Sequence, residues 1–161
     1  MHVVKRNGET QAVSFDKILY RLKALSTNLF KIDVAVVAQK TINGLHNGVK
    51  TVELDNLAAE TAAYMITHHP EYGLLAARIE ISNIEKSTPP TFSEYVTQSG
   101  LPDDISKFVH EYAEDLNNAI NYERDGMFDF FAIRTLMKSY LRRSPSTGEI
   151  IERPQYCLMR I

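Results

Sequence analysis

Four cations near the start of the chain are the residues whose type and spacing speak most directly of chemistry. Lys5 and Arg6 stand side by side, and Lys17 and Arg21 follow at a spacing of one helical turn. Like charges at i and i+4 on a helix repel by a few tenths of a kcal/mol. A polyphosphate would relieve that repulsion, with arginine as a two-pronged donor and lysine as a mobile point charge. A charged helix face is more often simply solvated, so the spacing alone decides little. The stronger indication is that Lys5 and Arg6 arrive on a short hairpin that must pack nearby, with His2 beside them. Residues 1–31 hold six Lys or Arg against two Asp or Glu, whereas the remainder holds twelve against eighteen. The basic end should therefore attract something small and anionic; duplex nucleic acid would demand a broader basic surface, so no nucleic-acid partner is expected.

Other chemistries are excluded by spacing. Gly44-Leu45-His46-Asn47-Gly48-Val49-Lys50-Thr51 resembles a phosphate-binding P-loop only superficially, because three residues rather than four separate the glycines and Val49 intervenes before the lysine. Thr51 still matters, since a helix amino-terminus offers N–H groups to a bound nucleotide. His68 and His69 are adjacent, and adjacent helical positions point about 100° apart, so they do not converge on a metal. No carboxylate pair signals hydrolysis, and no metal site is expected. Cys157 is the only cysteine, which excludes an intrachain disulfide and any dithiol chemistry within the chain. The chain has no apolar run long enough for a membrane span and no secretory leader, so a cytoplasmic protein without membrane partners is the expectation.

The elements that must position these residues are mostly helices. Val3 and Val4, the turn dipeptide Asn7-Gly8, then Ala12 and Val13 predict a β-hairpin too small to be stable alone. Ser14 is placed to cap a helix with Phe15, Ile18, Leu19, Leu22 and Leu25 along one face and Lys17 and Arg21 on the other. A second helical pattern runs from about Val34 to Leu45, ending near Gly48; Thr51 is placed to cap a third, rich in alanine. A fourth begins at Pro70 and stops before Ser87-Thr88-Pro89-Pro90. Downstream, short helices are predicted over Phe92–Val96, through Ile105, Phe108, Val109, Tyr112 and Leu116, and over Phe130–Tyr140. A second hairpin is predicted across Ser144-Pro145-Ser146-Thr147-Gly148. The last residues, Leu158-Met159-Arg160-Ile161, read as an element cut midway, part of something larger.

Met1 to Gly8, followed by Val13-Ser14-Phe15-Asp16-Lys17-Ile18, closely resembles the ATP-cone of ribonucleotide reductase class I large subunits. Gly48 to Ala62 is similar to that family's third helix, and His69-Pro70-Glu71-Tyr72 with Leu75-Ala76-Ala77-Arg78-Ile79 to its fourth. Residues 88–121 match poorly. Tyr122-Glu123-Arg124-Asp125, Thr135 to Leu141 and Glu152-Arg153-Pro154-Gln155 resemble the start of the catalytic domain. The resemblance implies a mainly α fold: an ATP-cone at 1–87, in which a small β-hairpin or sheet caps a four-helix bundle, a linker at 88–104, and a truncated helical start of the catalytic domain at 105–161 with the second hairpin. The catalytic barrel and its cysteines would lie beyond Ile161, so this chain alone would be inactive.

Carried over residue by residue, the resemblance implies that Lys5, Arg6, Gln11, Ala12, Val13, Ser14, Phe15, Asp16, Lys17, Thr51 and Asp55 contact an effector nucleotide, with Lys86 a further candidate for its phosphates. Asp55 would accept a hydrogen bond from a ribose hydroxyl and Ile18 and Leu22 would flank the adenine, while Arg21 and His2 join the basic cluster. The effector would be ATP as activator or dATP as inhibitor, with Mg²⁺, controlling reduction of ribonucleoside diphosphates. The implied partners are the rest of the large subunit and the radical-generating small subunit, and a homo-oligomer stays open. Two alternatives of other classes are a nucleotide-sensing transcription regulator, which would need the zinc-ribbon cysteines this sequence lacks, and a vestigial structural interaction module.

Overall fold

The first strand of the computed structural model, which describes residues 1–161, lies in the middle of a small sheet. β1 (His2–Val4) pairs antiparallel with β2 (Thr10–Ala12), as the Asn7-Gly8 turn predicts, and sets Val3 opposite Gln11. Gly8 closes the connection at φ +84°, a conformation side chains with a Cβ rarely adopt. On its other edge β1 pairs in parallel with β3 (Val49–Lys50), Val3 opposite Val49. That third strand escapes sequence reading, because two residues are too few to display an alternation. Gly48 does take a left-handed φ of +84°, but its role differs from the predicted helix end: its N–H donates to the His2 carbonyl at 2.8 Å.

Four helices follow from the predicted patterns. Ser14 caps α1 (Phe15–Leu25), its Oγ accepting the Lys17 N–H, and Asp33 caps α2 (Val34–Asn43) by accepting the N–H groups of Ala35 and Val36. α2 stops at Asn43, short of the expected Leu45, with Gly44 as its cap. The start of α3 (Thr51–Tyr64) also corrects the sequence expectation. Thr51 is its first helical residue rather than its cap, and Glu53 Oε2 accepts the Lys50 N–H at 3.0 Å. α4 (Glu71–Ser87) begins directly after Pro70, as predicted.

The apolar faces of these helices form the core of the first of two compact units, Met1–Asn83. Ile18, Leu22, Val37, Ala38, Ala58, Ala59, Ala62, Leu75, Ala76 and Ile79 are all buried there. The small residues of α3 let helix axes approach closely, which concentrates packing contacts along its length. Polar contacts tie the ends: Arg78 Nη1 donates to the carbonyls of Leu25 at 2.9 Å and Thr27 at 2.7 Å, so α4 satisfies carbonyls at the end of α1 and just beyond it.

The second unit, Ile84–Ile161, contains α5 (Phe92–Gln98), α6 (Asp103–Glu111), α7 (Ala113–Ala119), α8 (Phe130–Ser139) and α9 (Pro154–Arg160). The apolar pattern predicted through Ile105–Leu116 is split at Tyr112, whose ψ of 26° interrupts the helix. The second hairpin is reduced to one antiparallel bridge, Arg143 with Ile150. Tyr95 stacks on Tyr156, with Phe92 tilted against both, in a core shared with Val96, Val109 and Ile120. Beside them the fully buried Glu152 carboxylate accepts the Tyr95 hydroxyl at 2.5 Å, the Arg142 N–H at 3.0 Å, and Arg160 Nε at 2.7 Å. Burial alone would raise its pKa, but the bonds from Arg160, Tyr95 and the Arg142 backbone outweigh that and hold it below the usual glutamate value of 4.5.

Two tests follow from this packing. Because the folded-state pKa of Glu152 is depressed, its stabilisation is complete above the ordinary glutamate range and lost as pH falls through its lower folded value. Glu152→Gln should therefore cost about 2 kcal/mol at pH 7, by leaving buried donors poorly matched, and should flatten the acid limb of a melting-temperature profile. A variant whose acid limb matches the parent would refute that role. Ala59→Leu should cost on the order of 1–3 kcal/mol in urea unfolding, since overpacking must spread the helices against α3; an unchanged midpoint would show that α3 is not closely packed.

Candidate functional site

The β1–β2 hairpin and the first two turns of α1 carry most of the predicted site residues. Ser14 fixes where α1 begins, so Lys17 and Arg21 fall on one helix face four residues apart. Lys17, Asp16, Arg6, Ala12 and His2 are exposed, while Gln11, Val13, Ser14 and Phe15 are half-buried. Two backbone donors here are already engaged: Val13 N–H donates to the Met1 carbonyl at 3.1 Å, and His2 N–H donates to Asn47 Oδ1 at 2.8 Å. Lys5 pairs with Glu9 across the hairpin connection at 3.0 Å, and that bond holds the Glu9 carboxyl below its usual range.

Arg21 is placed differently from the other cations. Its Nη1 donates to Asp55 Oδ1 on α3, and its Nη2 donates to Asn83 Oδ1 on α4 at 3.1 Å. Side-chain exposure is 26% for Arg21 and 3% for Asp55, so the pair is largely out of water. Desolvation, then repulsion from Arg6, lower the Arg21 pKa to about 10, which leaves it a cation at neutral pH. A single guanidinium thus joins three helices and stands beside the exposed cations.

Not every predicted residue gathers at this point. Ile18 and Leu22, 8% and 2% exposed, are part of the helix core. Thr51 is half-buried at the start of α3, and Asp55 lies one turn further along the same helix. Lys86 is exposed in the last turn of α4 and belongs to the second compact unit. Asn83 was missed by sequence reading, although a signal existed: it falls four residues after Ile79 and eight after Leu75, a polar side chain on the line of buried positions.

The arrangement is suited to holding a polyanion. Arg6 and Lys17 present charge to solvent, Lys5 and Arg21 add charge behind them, and a buried carboxylate lies next to the last. No group of three or more His, Cys, Asp or Glu converges in a way that could hold a metal ion. His69 Nδ1 instead accepts the Glu71 N–H at 3.2 Å, a contact at the start of α4. No helix is long and apolar enough to cross a membrane.

Residues 1–87 match the ATP cone domain. The whole chain is 45% identical to the ribonucleoside-diphosphate reductase large subunit of Dictyostelium discoideum, aligning with 20% of that protein. It is 46% identical to the large chain 2 of Saccharomyces cerevisiae, again over all of this chain and 20% of the relative. With the large subunit of Caenorhabditis elegans the identity is 46% over 99% of this chain and 22% of the relative. The chain thus spans about a fifth of the length of these relatives. By a match covering more than half its residues, the chain belongs to the ATP-cone domain family.

Proposed function

We propose that the ATP-cone of this chain binds ATP or dATP as an allosteric effector and thereby controls ribonucleotide reduction by a ribonucleoside-diphosphate reductase large subunit. What supports this reading is that Lys17 and Arg21 lie one turn apart on α1, with Arg21 bonded to Asp55, inside the domain that matches the ATP cone. Arg6 and Lys17 would meet the phosphates, together with Lys5 once its surface bond to Glu9 yields. Mg²⁺ would travel with the phosphates, since that ion commonly keeps its waters and needs few protein ligands.

ATP and dATP share their phosphates and their base, so only the ribose can make them act differently. Opposite effects require that the two nucleotides favour alternative assemblies to different degrees, and about 1–3 kcal/mol of coupling is enough. Asp55 would sense the sugar. Because its side chain is 3% exposed, the site must open slightly for a ribose hydroxyl to reach it. The remaining partners would be the rest of a large subunit and the radical-generating small subunit.

Thermal unfolding with Mg²⁺ and ATP, dATP or GTP tests the proposal. A ligand at 100 times its dissociation constant stabilises by about 2.7 kcal/mol, so melting should rise with both adenine nucleotides and not with GTP. No rise with any of the three overturns it. Arg6→Gln and Lys17→Gln should each weaken both adenine nucleotides about tenfold, the effect of removing one charge-assisted contact of 1.5 kcal/mol or so. Asp55→Asn should weaken the discrimination between ATP and dATP more than it weakens binding, checked by titration calorimetry.

A further inference from the structure

On the nucleotide-binding proposal above, we infer that Arg21 is the positioning residue for nucleotide discrimination: its guanidinium fixes the Asp55 carboxylate while sharing a face of α1 with Lys17, one turn away. Sugar and phosphate are then sensed through a common side chain.

The geometry requires a guanidinium. Arg21 uses one prong on Asp55 of α3 and the other on Asn83 of α4, at 3.1 Å for the latter. A planar fork can serve two acceptors at once in a fixed relative orientation, whereas a lysine ammonium on a flexible stem gives no such constraint. Asp55 sits in an alanine-rich stretch of α3, where Ala58, Ala59 and Ala62 are also buried, so its orientation depends on polar partners rather than on being wedged by large neighbours. Arg21 also keeps 26% of its side chain exposed, enough for an anion held by Arg6 and Lys17 to attract it. Phosphate binding therefore competes with Asp55 for the same guanidinium. A shift of Arg21 toward the phosphates weakens its bond to Asp55, a sugar hydroxyl that donates to the carboxylate offsets that loss, and a nucleotide lacking the hydroxyl does not.

A purely structural staple between α1, α3 and α4 would behave otherwise, and titration of the whole chain with ATP and with dATP separates the two. Arg21→Lys should move the ratio of the two dissociation constants toward one by about fivefold, the lower end of an allosteric coupling. Arg21→Lys combined with Asp55→Asn should move it no further than Asp55→Asn alone, because both act through the same pair. Lys17→Gln serves as the contrast, weakening both nucleotides with the ratio unchanged. Should Arg21→Lys unfold, Asn83→Ala releases the second prong and should shift the ratio in the same direction. A wild-type chain that binds neither nucleotide overturns the nucleotide proposal and this inference with it. A wild-type chain that binds both with one affinity, a ratio that survives Arg21→Lys, or additive effects in the double variant overturns this inference alone.

Discussion

A guanidinium and a carboxylate that leave water together can do so only in a defined geometry, and the first unit is organised around that requirement. Hydrophobic burial draws α1, α3 and α4 together, but it is non-directional and would tolerate sliding, all the more along a helix face made of Ala58, Ala59 and Ala62. The Arg21 bonds to Asp55 and Asn83 supply what the alanines cannot: a register along the helix axes and a rotation about them. Removing one partner of such a pair strands the other in a poorly solvating environment, so the geometry is enforced by the cost of losing it.

The second unit solves the same physical problem with a different outcome. Glu152 is also a buried carboxylate serving several segments, bonded to Tyr95 of α5, to the Arg142 backbone and to Arg160 of α9. Its surroundings are the stacked rings of Phe92, Tyr95 and Tyr156, and its charge is fully matched within the unit. The Arg21–Asp55 pair instead lies next to the uncompensated charges of Arg6 and Lys17. Glu152 is enclosed by partners within its own unit, whereas the arginine bonded to Asp55 keeps 26% of its side chain exposed.

Much of this could be read from the chain before any coordinates. The period of Phe15, Ile18, Leu22 and Leu25, the Ser14 cap and the Pro70 start are local signals, and local signals survive into the fold. The basic cluster was legible because charge is counted without knowing the fold. Most of what was not legible depended on distant partners. β3 exists only because β1 offers it an edge; the Thr51 expectation failed for a local reason, since Glu53 reaches back to the Lys50 N–H and the helix starts one residue earlier than a Thr51 cap would set it. The bonds of Arg21 to Asp55 on α3 and Asn83 on α4 were likewise invisible in the sequence, because both partners are distant along the chain.

The parallel pairing of β1 with β3 also has a consequence for the order in which the molecule acquires its structure. A ribosome delivers the amino-terminus first, so β1 and β2 can form their hairpin early, but the second edge of β1 must wait until Val49 has emerged. By then α1 and α2 lie between the two strands in sequence, and closing that loop is the slow, non-local step of a fold otherwise built from local contacts. Asn83 arrives later still. The residues of the hairpin are therefore synthesised before the partners that complete their surroundings, which places the final arrangement of β1 and Arg21 under the control of the helices that finish the bundle.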